Sequence, residues 1–223
     1  MPKILAIDTS TDACSCALFL DHKIIDKFSI APQKHASLIL PMVNELLVAN
    51  KIELNRLDAL AFCCGPGSFT GVRLATSIIQ GLSLATTLPI IRISALRTLA
   101  QEAFTEFKAT KVLVAQDARA QEVYWGEYSA DNNGIMQAIK PDKLINPRDI
   151  KIVDNKKLIG IGNGFEIYRD CFIKKCATIS VIANKYVKAK YVAKLAMADL
   201  INGLVITVDE AQPVYLREKL FNI

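Results

Sequence analysis

Two periods of apolar and polar positions run through the first hundred residues. KILAID, CSCALFL and KIIDKFSI read as strands, the last two joined by a turn at Asp21-His22. In SLILPMVNELLVAN, Ile39, Met42, Val43, Leu46 and Leu47 share one helical stripe. Pro41 interrupts that stripe unless Ser37 caps the helix, which puts the proline in the first turn, where a missing N–H costs little. DALAFCC predicts a fourth strand, Thr70 to Ala85 a helix, PIIRIS a fifth strand and LRTLAQEAFTEF a third helix.

After about Lys108 the layout starts again. KVLVAQDARAQEVYWGEYSAD repeats KILAIDTSTDACSCALFLD: an apolar strand, an aspartate at its end, a short turn and a second strand, with Asp117 in the place of Asp8. KLIGIGNGFEIY likewise repeats ALAFCCGPGSFTGV, each an apolar strand opening into a Gly-x-Gly turn. Two halves of one topology predict an α/β chain made of two duplicated subdomains, residues 1–104 and 105–223. Lys185 to Leu204 reads as a long amphipathic helix of the second half. AQPVYLREKL reads as a tail docked on the body, with the part from about 205 packing back on the first subdomain.

Composition narrows the classes. A chain of 223 residues, 52% hydrophobic and 22% charged, has apolar surface for one large core or two small ones. The N-terminus runs straight into an apolar strand without the pattern of a cleaved leader, so a cytoplasmic location is expected. The longest uncharged window, Leu74 to Ile91, is too rich in Thr, Ser and Gln for a membrane span. The cysteines, Cys14, Cys16, Cys63, Cys64, Cys171 and Cys176, form no C-x-x-C pair and are expected to be reduced, buried thiols. With two histidines only, His22 and His35, a multi-histidine metal centre is excluded by number. The net charge of +5 is uneven: Lys140 to Lys194 holds 13 Lys/Arg against 5 Asp/Glu. That stretch attracts nucleic acid by counterion release or is a solvated surface.

The stretch with most chemistry in it is GPGSFTG, Gly65 to Gly71, between a strand and a helix. Backbone N–H groups beside a helix N-terminus suit a phosphate, yet the spacing matches neither the Walker loop nor the dinucleotide fingerprint. Glycines that merely permit a tight left-handed turn fit it as well. Asp8, followed by Thr9 and Ser10, has the residues to hold a hydrated magnesium or to close a local turn. Its counterpart at Asp117 lacks a glycine to wrap a second phosphate. The helix after the loop is apolar on nearly every face, with Arg73 and Gln80 its only large polar side chains. One sheet covers one side, so something else is expected to cover the other. Leu74, Ser77, Gly81 and Leu84 share a stripe there, and small Ser77 and Gly81 allow another helix to come close. His35 has Ile39 four residues on and forms no His-x-x-x-His pair, and no serine stands in a Gly-x-Ser-x-Gly elbow.

ILAIDTSTDACSCAL, HASLILPMVNELL, GPGSFTGVRLATSIIQGLSLA, DARAQEVYWGEY and AQPVYLR, spread in order over residues 4 to 217, together resemble the TsaB (YeaZ) family, accessory subunits in bacterial tRNA threonylcarbamoyladenosine (t6A) synthesis. The resemblance implies the actin-like, sugar-kinase and Hsp70-type ATPase fold. It also implies a pairing with TsaD, the sister family that transfers the threonylcarbamoyl group and carries a metal on histidines. Where TsaD has two of those histidines this chain has Ile93 to Thr98, and Ile39 breaks the other pair, so no catalytic and no metal-binding residue carries over. The partner surface that the resemblance implies falls on Leu38, Met42 and Glu45 of the first helix and on Arg73, Leu74, Ser77, Ile78 and Gly81 of the second. The same surface is expected to make a homodimer when TsaD is absent. Asp8, Thr9, Ser10, Gly65 and Gly67 would be a vestigial nucleotide site, with ATP or ADP bound only in the complex. The resemblance further implies a small ATPase, TsaE, as a third component, with tRNA reached through the complex.

Three classes of function are therefore open: a non-catalytic scaffold that activates the transferase, an ATP-dependent kinase or ATPase of the same fold, and a metallopeptidase. The third is opposed by the histidine count, and the second by the incomplete second loop.

Overall fold

The computed structural model of the protein describes residues 2–152, 158–175, 179–183 and 185–217. Residues up to 98 together with 186–214 make one compact unit, and 99–185 together with those from 215 on make the other.

The first unit begins β1 (Ile4–Asp8), β2 (Ala13–Leu20), β3 (Lys23–Ile30), α1 (His35–Ala49), β4 (Ala59–Gly65), α2 (Phe69–Thr86) and β5 (Ile90–Ser94). Its sheet has the order β3-β2-β1-β4-β5, with β1 antiparallel to β2 and parallel to β4. β1 and β4 are buried along their whole length, as expected for parallel strands covered on both faces, whereas the edge strand β3 is partly open to water. Leu5 and Ile7 of β1, with Leu60 and Phe62 of β4, meet Ile39, Val43 and Leu46 of α1 and Ala75 and Ile79 of α2 in one core. The β2–β3 turn has Asp21 and His22 both at positive φ, the left-handed pair that a tight hairpin needs, here without glycine.

α3 (Ala95–Phe107) leads into the second unit: β6 (Lys111–Asp117), β7 (Val123–Ala130), β8 (Met136–Ala138), β9 (Lys143–Ile145), β10 (Ile159–Ile161), α4 (Gly164–Ile167), α5 (Arg169–Ile173) and β11 (Ser180–Ile182). The order β8-β7-β6-β10-β11 repeats β3-β2-β1-β4-β5 strand for strand, so the duplication read from the sequence is present in the topology. Its core gathers Leu113, Val123 and Trp125 with Phe165 and Phe172, and Trp125 stacks on Phe172 at 6.0 Å.

Three features differ from the sequence reading. The last helix, α6 (Ala189–Ile201), is shorter than Lys185 to Leu204 and belongs to the first unit, so a single cut near 104 does not describe the chain. α6 packs across β1, β2 and β4, and the N–H of Ala189 donates to Ser15 Oγ at 2.9 Å. Its buried face, Ala189, Val192, Ala193, Leu195 and Ala196, supplies the apolar layer that β1 needs on its second side. Second, α1 starts at His35 and holds Pro41 in its interior, and Ser37 bonds back to the Lys34 carbonyl instead of capping the helix. Ser37 and Pro41 both face solvent, where water takes the place of the N–H that proline lacks. Third, four cysteines are buried as expected, but Cys171 is only half-buried, and Cys176 lies outside the described residues.

Within the first unit, Arg97 of α3 grips Asp199 of α6 with two bonds, Nη1 to Oδ2 at 2.7 Å and Nη2 to Oδ1 at 3.0 Å. The two side chains are only 15% and 7% exposed. Removing one partner of a buried ion pair strands the other charge, at about 3 kcal/mol. Asp199→Ala is therefore expected to lower the unfolding free energy by about that amount in urea, whereas Arg97→Met combined with Asp199→Leu should recover most of it. Equal losses in the single and double variants would show that the pair is not what holds α6.

Candidate functional site

The residues predicted around Asp8 and the glycine loop do come together. β1 ends at Asp8, the chain turns through Thr9 and Ser10, and the loop between β4 and α2 lies directly on that turn. The N–H of Ser68 donates to the Ser10 carbonyl at 2.8 Å, and Thr9 Oγ1 donates to the Gly71 carbonyl at 2.7 Å. A Cβ on Gly67 would stand 2.5 Å from the Ser10 oxygen, and one on Gly71 would stand 2.0 Å from the Thr9 oxygen. Neither position admits a side chain. Gly65 has φ +101°, in the left-handed region, and its bond to Pro66 is cis. The three glycines thus have separate causes: Gly65 makes the turn, and Gly67 and Gly71 let two backbones touch.

This contact changes what the loop offers a ligand. At the start of α2 the Ser68 N–H is held by Ser10, and the Gly71 N–H faces Ser68 Oγ at 3.4 Å as an N-cap bond. Asp8, Thr9 and Ser10 are fully buried or nearly so. Asp8 Oδ1 accepts from the Ser10 N–H at 3.1 Å and from Ser10 Oγ at 2.6 Å, and the Cys63 thiol in turn donates to Ser10 Oγ at 3.5 Å. Oδ2 has no hydrogen-bond partner among the described residues. Burial raises the Asp8 carboxyl from the ordinary 3.8 to about 6, only partly offset by the Ser10 bonds. The same burial pushes Cys14 up to about 11 and Cys16 up to about 12, which keeps these thiols protonated and unreactive.

The second half repeats the construction with different contents. Gly162 has φ +110°, and a Cβ on Gly162 or Gly164 would come within 2.3 or 2.9 Å of the Ala115 carbonyl of β6. Asp117 ends β6 as Asp8 ends β1, but it is engaged. Its Oδ1 accepts from the Arg119 N–H at 3.1 Å and from Tyr168 Oη at 2.9 Å, and its N–H donates to Asn163 Oδ1 at 2.8 Å. The absence of glycine in this turn does not keep the backbone from bending: Arg119, Ala120 and Gln121 all have positive φ, between 49° and 62°. The left-handed turn is thus made by three residues that ordinarily avoid it. Arg217 braces it, donating from Nη2 to the Ala118 carbonyl at 3.1 Å and pairing from Nη1 with Glu122 at 2.7 Å. Of the docked tail, Val214 donates its N–H to the Cys64 carbonyl at 2.8 Å, and residues 218–220 lie outside the described ones.

α2 carries the second candidate surface. Val72, Ala75, Thr76, Ile79 and Ser83 face the core, and Gln80 donates to the Ala211 carbonyl at 2.9 Å. The opposite face is open. Arg73, Ser77 and Gly81 are exposed, Leu84 is 69% exposed, and nothing lies within 4 Å of a Cβ built on Gly81. Leu74 and Ile78 of α2, like Leu38 and Met42 of α1, are half-buried and packed against the core, while Glu45 pairs with Lys27 of β3. Phe69, 46% exposed and carrying the Arg73 guanidinium 3.5 Å above its ring, was missed by the sequence reading. Its signal was there: Phe69, Arg73, Ser77, Gly81 and Ala85 form one ridge of spacing four. Leu40 and Val48 of α1, 49% and 67% exposed, were missed as well.

The histidines stay apart, His22 in the β2–β3 turn and His35 at the start of α1, with Nε2 of His35 buried and unpartnered among the described residues. No group of three His, Cys, Asp or Glu side chains suited to a metal ion occurs among the described residues. No helix among them is long and apolar enough to cross a membrane.

Comparison with known proteins places these features in a family. Residues 28–220 match the TsaD family, tRNA N6-adenosine threonylcarbamoyltransferase. The chain is similar to the tRNA threonylcarbamoyladenosine biosynthesis protein TsaB of Escherichia coli, at 37% identity over 98% of this chain and 96% of that one. It is also similar to TsaB of Haemophilus influenzae, at 36% identity over 97% and 94%. The solved structure of YeaZ from Pseudomonas aeruginosa superimposes with a TM-score of 0.90 at 35% identity, over 97% of this chain and all of that one.

The Asp8 environment has a signature in pH. Because the folded-state pKa is raised, folding favours the protonated carboxyl. Stability from this group is therefore greatest below about pH 4, declines as pH rises toward 6 and is level above, a loss of about 3 kcal/mol in all. Asp8→Asn should flatten the urea-unfolding profile between those limits and leave the variant at pH 8 at least as stable as the parent. An unchanged slope in the variant would mean that another group sets it.

Proposed function

The chain belongs to the TsaB (YeaZ) family, and from that premise we propose that it is a non-catalytic subunit of the t6A-forming machinery, a scaffold that pairs with and activates the TsaD transferase. The observation that carries this reading is the open face of α2, where the ridge Phe69, Arg73, Ser77, Gly81 and Ala85 runs beside exposed Leu84. A helix whose outer face is this apolar and whose small residues stand clear of its own domain has the shape that close helix–helix packing requires. Leu38, Met42 and Glu45 of α1, with Arg73, Leu74, Ser77, Ile78 and Gly81 of α2, are the residues assigned to that surface. The same ridge would pair two copies of the chain when TsaD is absent, TsaE would join as a third component, and tRNA would be engaged through the complex.

The glycine loop supports the non-catalytic half of the reading. Its backbone is in contact with the Thr9–Ser10 turn where a phosphate would have to approach, so its role is to set the start and direction of α2. The alternative, an ATP-dependent kinase or ATPase of the same fold, draws on two features: the unpartnered Oδ2 of Asp8 and the left-handed turn after Asp117. ATP hydrolysis by the isolated chain decides between them. We expect none above the no-protein background, and turnover abolished by Asp8→Ala would favour the enzyme.

Gly81→Arg tests the surface. A long charged side chain pressed into a close helix contact leaves a desolvated, unpaired charge that costs on the order of several kcal/mol, enough to weaken association by about two decades or more. The open space around Gly81 leaves the monomer unaffected. The variant should be monomeric, melt cooperatively with an unchanged circular dichroism spectrum, and fail to support t6A formation with TsaD in a reconstituted reaction. Full activity with intact partner binding would move the interface elsewhere.

A further inference from the structure

The second unit holds a cleft with no counterpart in the reading above. It has a volume of about 150 Å³ and lies beside the paired strands β6 and β7. Register places Leu113 opposite Glu127 and Ala115 opposite Trp125, so Leu113, Trp125 and Glu127 share one face of this pair. Leu113, Trp125 and Leu158, nearly all buried, form the apolar part of the lining. Around them stand Lys111, Lys140 and Lys151, three cations against the single carboxylate of Glu127 among the lining residues. Glu127 is held in place: Oε1 accepts from the Trp125 indole N–H at 3.2 Å, and Oε2 lies 3.7 Å from Lys140 Nζ. Its side chain is still 21% exposed and lines the cleft.

We propose that this cleft binds a cytidine nucleotide, with the pyrimidine against the apolar wall, its exocyclic amine on Glu127 and its phosphate on the lysines. Size suits the ring, since a volume of about 150 Å³ is that of a cavity holding a single six-membered ring such as benzene. Charge selects the substituents. A carboxylate accepts from the N4 amine of cytosine and opposes the O4 carbonyl that uracil has in that place. Three lysines around the rim suit a phosphate and no cationic ligand. The nucleotide is free or part of an RNA strand, since both present this chemistry. The inference rests on the cleft alone, so its failure leaves the partner reading untouched.

Trp125 is the only tryptophan in the chain and lines the cleft, so its fluorescence is a direct reporter of binding there. The full-length chain is titrated with cytidine monophosphate, uridine monophosphate, inorganic phosphate and a short oligocytidylate. We expect a saturable change with cytidine monophosphate and binding of uridine monophosphate weaker by about tenfold or more, a gap of about 1.4 kcal/mol. Lys111→Ala combined with Lys151→Ala should weaken the cytidine nucleotide by about tenfold while the variant still melts cooperatively, since both positions lie at the surface. Glu127→Gln should remove most of the preference over uridine. Tighter binding of the oligonucleotide than of the monomer identifies a strand as the source, and the reverse identifies the free nucleotide. The proposal is overturned if neither cytidine ligand produces a saturable change up to about millimolar concentration, if uridine binds equally well, or if inorganic phosphate alone reproduces the effect.

Discussion

One backbone contact organises the first unit: the carbonyls of Thr9 and Ser10, at the turn between β1 and β2, rest on Gly71 and Gly67 at distances that no Cβ permits. Everything near it follows from that closeness. The start of α2 is fixed by the Ser10 carbonyl as well as by its own cap, so the helix leaves the sheet in one direction. Asp8, at the end of β1, is sealed beneath the contact with one oxygen bonded and the other not. That is why its carboxyl is raised instead of lowered, as it would be beside a bound cation or a set of N–H donors.

The second half shows what the contact requires and what it leaves free. There too a left-handed glycine ends the strand and a second glycine presses on a carbonyl, now that of Ala115. The aspartate beside it has a different fate: Asp117 is bonded to Arg119 and Tyr168 and the turn after it is braced by Arg217. Duplication therefore preserved the packing of strand on loop, which is a matter of backbone distance, and let the side chains diverge. The left-handed turn at Arg119–Gln121 persists without glycine because bonds at both of its ends hold it.

α2 divides the physics of the unit between its two sides. One side is core, closed by α1, β1 and β4 with no room for change. The other is a ridge with an open glycine, an exposed leucine and a phenylalanine under an arginine, a surface that costs free energy in water and gains it when covered. α6 completes the opposite face of the same sheet, so the sheet has no further side to offer α2. The ridge of α2 stays open to solvent.

Period and punctuation along the chain determined much of this: the strand and helix order, the duplication, and the two aspartates placed alike at strand ends. These are local, since alternation, helical spacing and Gly-x-Gly turns depend on neighbours a few residues away. They also exposed one face of α2 as surplus, because a helix apolar all round cannot be served by one sheet. Four things were decided only in three dimensions. α6 crosses back to the first sheet because β1 needs cover on both sides, a demand that no window of sequence contains. Pro41 sits inside α1 because its side of the helix faces water. Tyr168, fifty-one residues away, donates to the same oxygen of Asp117 that the Arg119 N–H reaches. Gly67 and Gly71 press on the backbone of the Thr9–Ser10 turn, a contact visible only in which atoms stand where their side chains would be. A sequence can show that a position tolerates only glycine, but the reason is a neighbour's backbone, and that neighbour is brought there by the fold.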